Sequence, residues 1–314
     1  YAARRAADLV HLMRTFDASE QLAGVAPVED RIEMLYMLGW AVDELHDTES
    51  ACAVYTTLFG LCPKASGASS TLAEMASDAA VRFAFGSPPS VADGAAAFTA
   101  ILPLVAASGS LTTHINTLHS AALFYSSVAG CCAEASVLMG EGLVRCCAAS
   151  EELDESALVS GGALLSSFGT LLAKLGLDRS AAREALAPVF SAVAAAAASV
   201  SPQAAAEMAA AIGFVQVEVL DESETGVEAL TSALASHPTG VIGERIVLAL
   251  CHVQHSGREE TPAEVALRAA LIEASEVAFS ATEIARLRAG VRGVVLSEVA
   301  VWTLMAGRPA DALG

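Results

Sequence analysis

Residues 35–63 read LYMLGWAVDELHDTESACAVYTTLFGLCP, and they limit the folds open to this chain more than any other stretch. Leu35, Leu38, Gly39 and Val42 recur at helical spacing and mark one face of a first helix; Ala51, Tyr55 and Leu58 mark one face of a second. Between them Asp47 and Thr48 offer side chains that accept the unpaired N–H groups of a new helix, and Pro63 ends the second helix. Two amphipathic helices joined by so short a break turn back on each other, because neither buries its apolar face alone.

The same periodicity runs along the chain. Helices are predicted at about 2–15, 28–46, 48–61, 70–85, 90–107, 112–129, 131–149, 155–176, 178–199, 202–220, 223–236, 239–256, 261–277, 281–306 and from 309 onward. Asp178 stands at one predicted helix start, and Thr261-Pro262 places proline in the first turn of another. Gly130, Gly176, Gly257 and Gly307 sit where a helix must stop and its partner turn back. Alanine, the strongest helix former, dominates, aromatic residues make up only 5%, and β-branched alternation of strand length is scarce, so the expected class is all-α.

Gly39 and Ala51 lie twelve positions apart, and so do Gly169 and Ala181. Around the second pair Leu165, Phe168 and Leu172 match Leu35, Leu38 and Val42, and Gly226, Leu230, Ala233 and Pro238 keep the offsets of Ala51, Tyr55, Leu58 and Pro63. Leu296, Val299, Ala300, Thr303 and Ala312 repeat the pattern near the C-terminus. In this spacing the chain resembles the tetratricopeptide (TPR) repeat family, whose unit is a helical hairpin of roughly 34 residues. His46 occupies the first hairpin's turn, where that family carries glycine. The resemblance implies a TPR-like α-solenoid: a right-handed superhelix of antiparallel helical hairpins, about seven of them, in one continuous array over residues 1–314. Residues 64–110 match the pattern poorly, with Gly/Ser-rich 65–70 and the breaker at 86–89, and are expected to form an irregular junction. The repeat-packing positions are then Leu35, Leu38, Gly39, Ala51, Tyr55, Pro63, Phe168, Gly169, Ala181, Gly226, Leu230 and Ala233.

Charge and thiol content narrow the function. The formal net charge is −19, from 17 basic and 36 acidic residues, and Lys64 and Lys174 are the two lysines. A polyanionic backbone calls for clustered Lys and Arg, so direct nucleic-acid binding is disfavoured. Arg245, Arg258, Arg268, Arg286, Arg288, Arg292 and Arg308 crowd the last quarter, but acids are interleaved with them. Seven cysteines, including the pairs Cys131-Cys132 and Cys146-Cys147, argue for reduced thiols in an intracellular protein rather than a secreted disulfide framework. The compartment is expected to be the cytoplasm or an organelle such as the mitochondrion; Arg4, Arg5 and Arg14 would suit the tail of a presequence. The alanine-rich run at 187–200 is too short to cross a bilayer, and no membrane span is expected.

Chemistry is weakly signalled. His114 and His119 are five apart and His252 and His255 three apart, without further ligands nearby in sequence, so no metal or cofactor is expected. No nucleophile elbow, phosphate-binding glycine loop or H-E-x-x-H helix occurs, and no catalytic residue is assigned; an enzyme is the weakest reading. The acidic groups at 151–155 and 221–224 suit helix starts. Tyr36, Trp40, Tyr125 and Trp302 are the candidate partner-binding residues, because Tyr and Trp bury large areas at low entropic cost. The expected function is a non-catalytic protein–protein interaction scaffold or adaptor within a larger intracellular assembly. Its partners would be other proteins: a peptide or helix in the concave surface, or neighbouring subunits. The alternative is a helical-repeat component of a ribonucleoprotein, which needs a basic stripe on the C-terminal helices.

Overall fold

The computed structural model describes residues 26–65, 69–86, 90–148, 153–287 and 289–307, without the side chains of Arg286 and residues 289–291. The helices expected at 2–15 and from 309, and Arg4, Arg5, Arg14, Arg288, Arg308 and Ala312, lie outside that description. The described residues are all-helical, with no strand among them. The helices are α1 Val28–Glu44, α2 Thr48–Leu61, α3 Ser70–Gly86, α4 Val91–Ser108, α5 Leu111–Leu123, α6 Cys132–Cys147, α7 Glu155–Lys174 and α8 Arg179–Val200. They continue as α9 Pro202–Glu218, α10 Ser223–Ser236, α11 Gly240–His255, α12 Pro262–Ala278, α13 Ala281–Arg286 and α14 Ala289–Met305. Side-chain caps start many of them: Asp47, Ser90, Ser110, Asp154, Asp178, Ser201 and Thr239 each accept an N–H from the first turn, and Thr261 with Glu264 forms a capping box.

Two departures from the periodicity have local causes. The helix expected over 112–129 ends as a π-helical turn, Phe124–Val128. The helix expected over 281–306 breaks after Arg286, where Leu287 turns extended. Arg292 donates across that break to the carbonyls of Leu287 and Ala285, so a charged side chain replaces the lost helical bonds.

The chain divides into two compact units, Tyr1–Gly142 and Leu143–Gly314. In the first, α1 packs on α2 and α3 on α4, while α1, α3 and α5 stack in succession. The helices expected at 70–85 and 90–107 are α3 and α4. Gly39 meets the ring of Tyr55, and any side chain there would collide with it. Ile32, Leu58, Phe59, Phe83, Phe98, Ile101 and Phe124 fill the core around this contact. Polar links tie each hairpin to the next: the Tyr36 hydroxyl donates to Asp78 at 3.1 Å, Arg82 bridges Asp78 and Asp43, and the hydroxyls of Ser77 and Thr117 meet at 2.7 Å. Thr117 already donates to the Thr113 carbonyl, so Ser77 is the donor of that buried pair.

In the second unit α7, α9 and α11 stack in succession, with α8 beside α7 and α9, and α10 beside α9 and α12. Its tightest crossing is α9 on α10. A Cβ on Gly213 would lie 2.8 Å from the Gly226 carbonyl oxygen and 3.0 Å from the Leu230 side chain. Gly213 therefore does in this hairpin what Gly39 does in the first, although its spacing to Gly226 is one residue longer than the Gly39–Ala51 interval. Gly169 is buried against Val215 of α9 and Val219 just past its end, not against the following helix that carries Ala181. Arg179 and Arg183 of α8 pair with Asp221 and Glu222 in the α9–α10 turn, and Arg258 pairs with Glu264 and bonds Ser223.

One sequence expectation is corrected. Three described helices are long and apolar enough to cross a membrane: α4, α7 and α8, with mean hydropathies of 1.6, 1.5 and 1.3. Only 22% of the α8 window is buried, against 50% for α7 and 33% for α4. The 187–200 run is only part of α8, and in α4 and α7 isolated polar residues break up the apolar run while the mean hydropathy over the helix stays high.

His46 carries φ of +59°, a left-handed conformation that costs a β-carbon-bearing residue about 1 kcal/mol or more. His46→Gly is expected to raise unfolding stability by roughly 0.5–1 kcal/mol, measured by urea denaturation. Gly213→Val wedges the α9–α10 crossing and is expected to cost about 1–3 kcal/mol by the same measurement.

Candidate functional site

Helices α4 and α5, the π-helical turn and α6 enclose an open groove of about 550 Å³ within the first unit. Thr99, Leu102, Pro103 and Ala106 form its α4 wall, His114, Leu118 and Tyr125 its floor, and Glu134, Val137, Leu138 and Glu141 its α6 wall. The size falls within the range of ligand and side-chain pockets, and the lining is mostly apolar. α6 makes few close backbone approaches to other described helices, which leaves room between it and α4. Val137 stands 69% exposed on the α6 wall, as Val144 does further along the same helix, while Ala135 and Met139 are buried.

Local sequence shapes this groove. Pro103 lies inside α4 and has no N–H, so the Thr99 carbonyl four residues earlier loses its helical donor, and both residues line the groove. The π-helical turn adds a residue to the α5 path and re-aims Tyr125, whose ring lies edge-on to Phe124 at 5.7 Å. Phe124 in turn seats against Gly94 of α4, where a Cβ would collide with its ring. Glu134 and Glu141 are both exposed, seven residues apart on α6 and therefore about 10.5 Å apart along one face. No lysine or arginine lines the groove.

The four aromatic residues singled out from sequence differ in their surroundings. Tyr125 lines the groove. Tyr36 is half-buried and tied to Asp78, while Trp40 is 36% exposed on α1 beside exposed Met34 and Met37. Trp302, in the second unit, is 4% exposed, and the Arg268 guanidinium lies 5.9 Å from its ring centre. Of the repeat-packing positions, Gly39, Ala51, Tyr55, Gly169, Gly226, Leu230 and Ala233 are buried, Leu35, Leu38, Phe168 and Ala181 half-buried, and Pro63 exposed. Sequence reasoning passed over Thr99, Pro103, Val137, Leu138, Glu134 and Glu141; the proline within an apolar helical run was the one available signal.

Four arginines of the last quarter, those whose side chains are described, are engaged inside the fold. Arg245 is buried against Gly162, Arg258 pairs with Glu264, Arg268 with Glu260 at 2.8 Å, and Arg292 with backbone carbonyls. Among the described residues they form no free basic stripe. No group of three or more His, Cys, Asp or Glu able to hold a metal occurs among the described residues. Burial pushes the thiols of Cys62 and Cys146 up to about 12 and that of Cys251 up to about 11, the reverse of what an activated nucleophile requires. His252 is held below its usual range by burial and by Arg258.

A scan against protein-family models finds none that matches this chain, and a search of curated proteins finds no similar sequence.

Glu218 near the end of α9 has a buried Oε2 without a hydrogen-bond partner among the described residues, and burial raises its carboxyl to about 7. The folded state then holds a proton that the unfolded state has released between about pH 4.5 and 7, so this group makes stability fall as pH rises through that window. Glu218→Gln is expected to flatten that part of the stability–pH curve and to raise stability at pH 8, read from urea midpoints at a series of pH values.

Proposed function

We propose that this chain is a non-catalytic interaction scaffold built as an α-solenoid of helical hairpins, with the α4–α6 groove as a docking site. The observation that carries the reading is that groove, open and mostly apolar, between α4 and α6. The solenoid form has its own support. Alternate helices begin at residues 28, 70, 111, 155, 202, 240 and 281, intervals of 38 to 47. Side-chain bonds between hairpins recur at the same separation: 42 for Tyr36–Asp78, 40 for Ser77–Thr117, 42 for Arg179–Asp221 and 39 for Arg183–Glu222. That interval is longer than the roughly 34 residues of a TPR hairpin and suits the ~40–47-residue hairpins of HEAT-type solenoids. A photo-crosslinking amino acid at Val137 is expected to capture a defined set of proteins from native cells, with the set lost when Ala106→Trp fills the groove. Equal capture from both proteins, or none from either, overturns the docking site.

A second reading is favoured by the three apolar helices: a membrane-integrated protein whose α8 face meets lipid. Carbonate extraction of native membranes separates the two. Release into the supernatant supports the scaffold, and retention in the pellet supports integration.

A further inference from the structure

We propose that the groove between α4 and α6 binds a small organic ammonium ion with an apolar body. The proposal goes beyond the scaffold reading: it requires the groove but no protein partner. At about 550 Å³ the groove has room for such a molecule. Leu102, Pro103, Leu118, Val137 and Leu138 give it apolar walls and floor, which select the body of the ligand. The polar side chains of the lining select its head. The Thr99 hydroxyl spends its proton on the Ala95 carbonyl at 2.9 Å, so toward the groove it can only accept. Glu134 lines the α6 wall as an exposed carboxylate and has no hydrogen bond or ion pair among the described residues. Glu141 and the buried His114 have interactions of their own and take no part. The Tyr125 ring, edge-on to Phe124, adds an aromatic surface of the kind that attracts cations. With no lysine or arginine in the lining, an anionic head finds no countercharge, and a neutral head leaves Glu134 without one. An ammonium donates to acceptors, needs no donor itself and carries the charge this wall lacks. The net charge of −19 raises the local concentration of such cations.

The test is isothermal titration calorimetry of the full chain with octylammonium, octanol and octanoate, which share one apolar body and differ in the head. The expected order is octylammonium tightest and octanoate weakest. Filling the groove from either wall, with Ala106→Trp on α4 or Val137→Trp on α6, abolishes octylammonium binding. Both positions are exposed, and circular dichroism checks that each variant keeps its helices. Glu134→Gln weakens octylammonium about two- to fivefold, in keeping with an exposed ion pair, and leaves octanol unchanged. Glu224→Gln, at an exposed carboxylate of α10 in the second unit, changes neither. Equal binding of all the probes, lost in both tryptophan variants, overturns the ammonium head and leaves the groove to the docking reading. Equal weakening by Glu134→Gln and Glu224→Gln also overturns it, since the attraction then comes from the field of the whole protein. Octylammonium binding that neither tryptophan affects, or no binding at all, overturns the site itself. Photo-crosslinking at Val137 decides the protein-docking reading independently of these outcomes.

Discussion

The architecture depends on how closely two helices can cross. A hairpin of amphipathic helices gains stability only if the backbones approach enough to exclude water, and a side chain at the crossing point holds them apart. At α1–α2 the gap is taken by the Tyr55 ring lying on Gly39; at α9–α10 glycine meets glycine, with Leu230 filling the remaining space. The same device recurs where α7 meets α9, through Gly169 on Val215, and where Phe124 seats on Gly94. These contacts suit an interior in which many buried alanines stand among leucines, valines and a few aromatics.

Crossings of this kind leave one face of every hairpin uncovered. Hairpin-to-hairpin contacts about 40 residues apart cover it, and the polar bonds at that separation show how register is held: a hydroxyl pair inside, arginine–carboxylate pairs at the edge. Exposed ion pairs contribute little energy each, so their part is to set alignment rather than to hold the helices together. The buried Ser77–Thr117 pair discriminates more strongly, since slippage would leave the buried Ser77 hydroxyl without its acceptor. This arrangement also consumes the cations. With 17 basic residues against 36 acidic ones, and the described C-terminal arginines engaged at home, the free surface charge is negative.

Where the pattern relaxes, a groove opens. Pro103 in α4 and the π-helical turn after α5 both disturb the helical bond ladder, and both lie on the same cavity. Each disturbance costs stability that a plain helix would keep. Both meet at one mostly apolar space in the first unit.

The sequence alone determined the all-helical class and nearly every helix boundary, because helical periodicity, caps such as Asp47 and Asp178, and the stop glycines act within a few residues of one another. It also marked Gly39, Tyr55, Gly226 and Leu230 as contact positions, since a small residue opposite a large one on two adjacent helices leaves a local trace. Tertiary structure decided what depends on distant partners: that Gly169 meets α9 rather than α8, that Gly213 replaces the position one residue on as the crossing glycine, and that α13 and α14 separate where Arg292 can cap the break. It also decided the groove, whose walls lie more than 25 residues apart in the chain and share no periodicity that a linear reading could join. Local rules set which segments are helices; only packing sets which faces remain for another molecule to use.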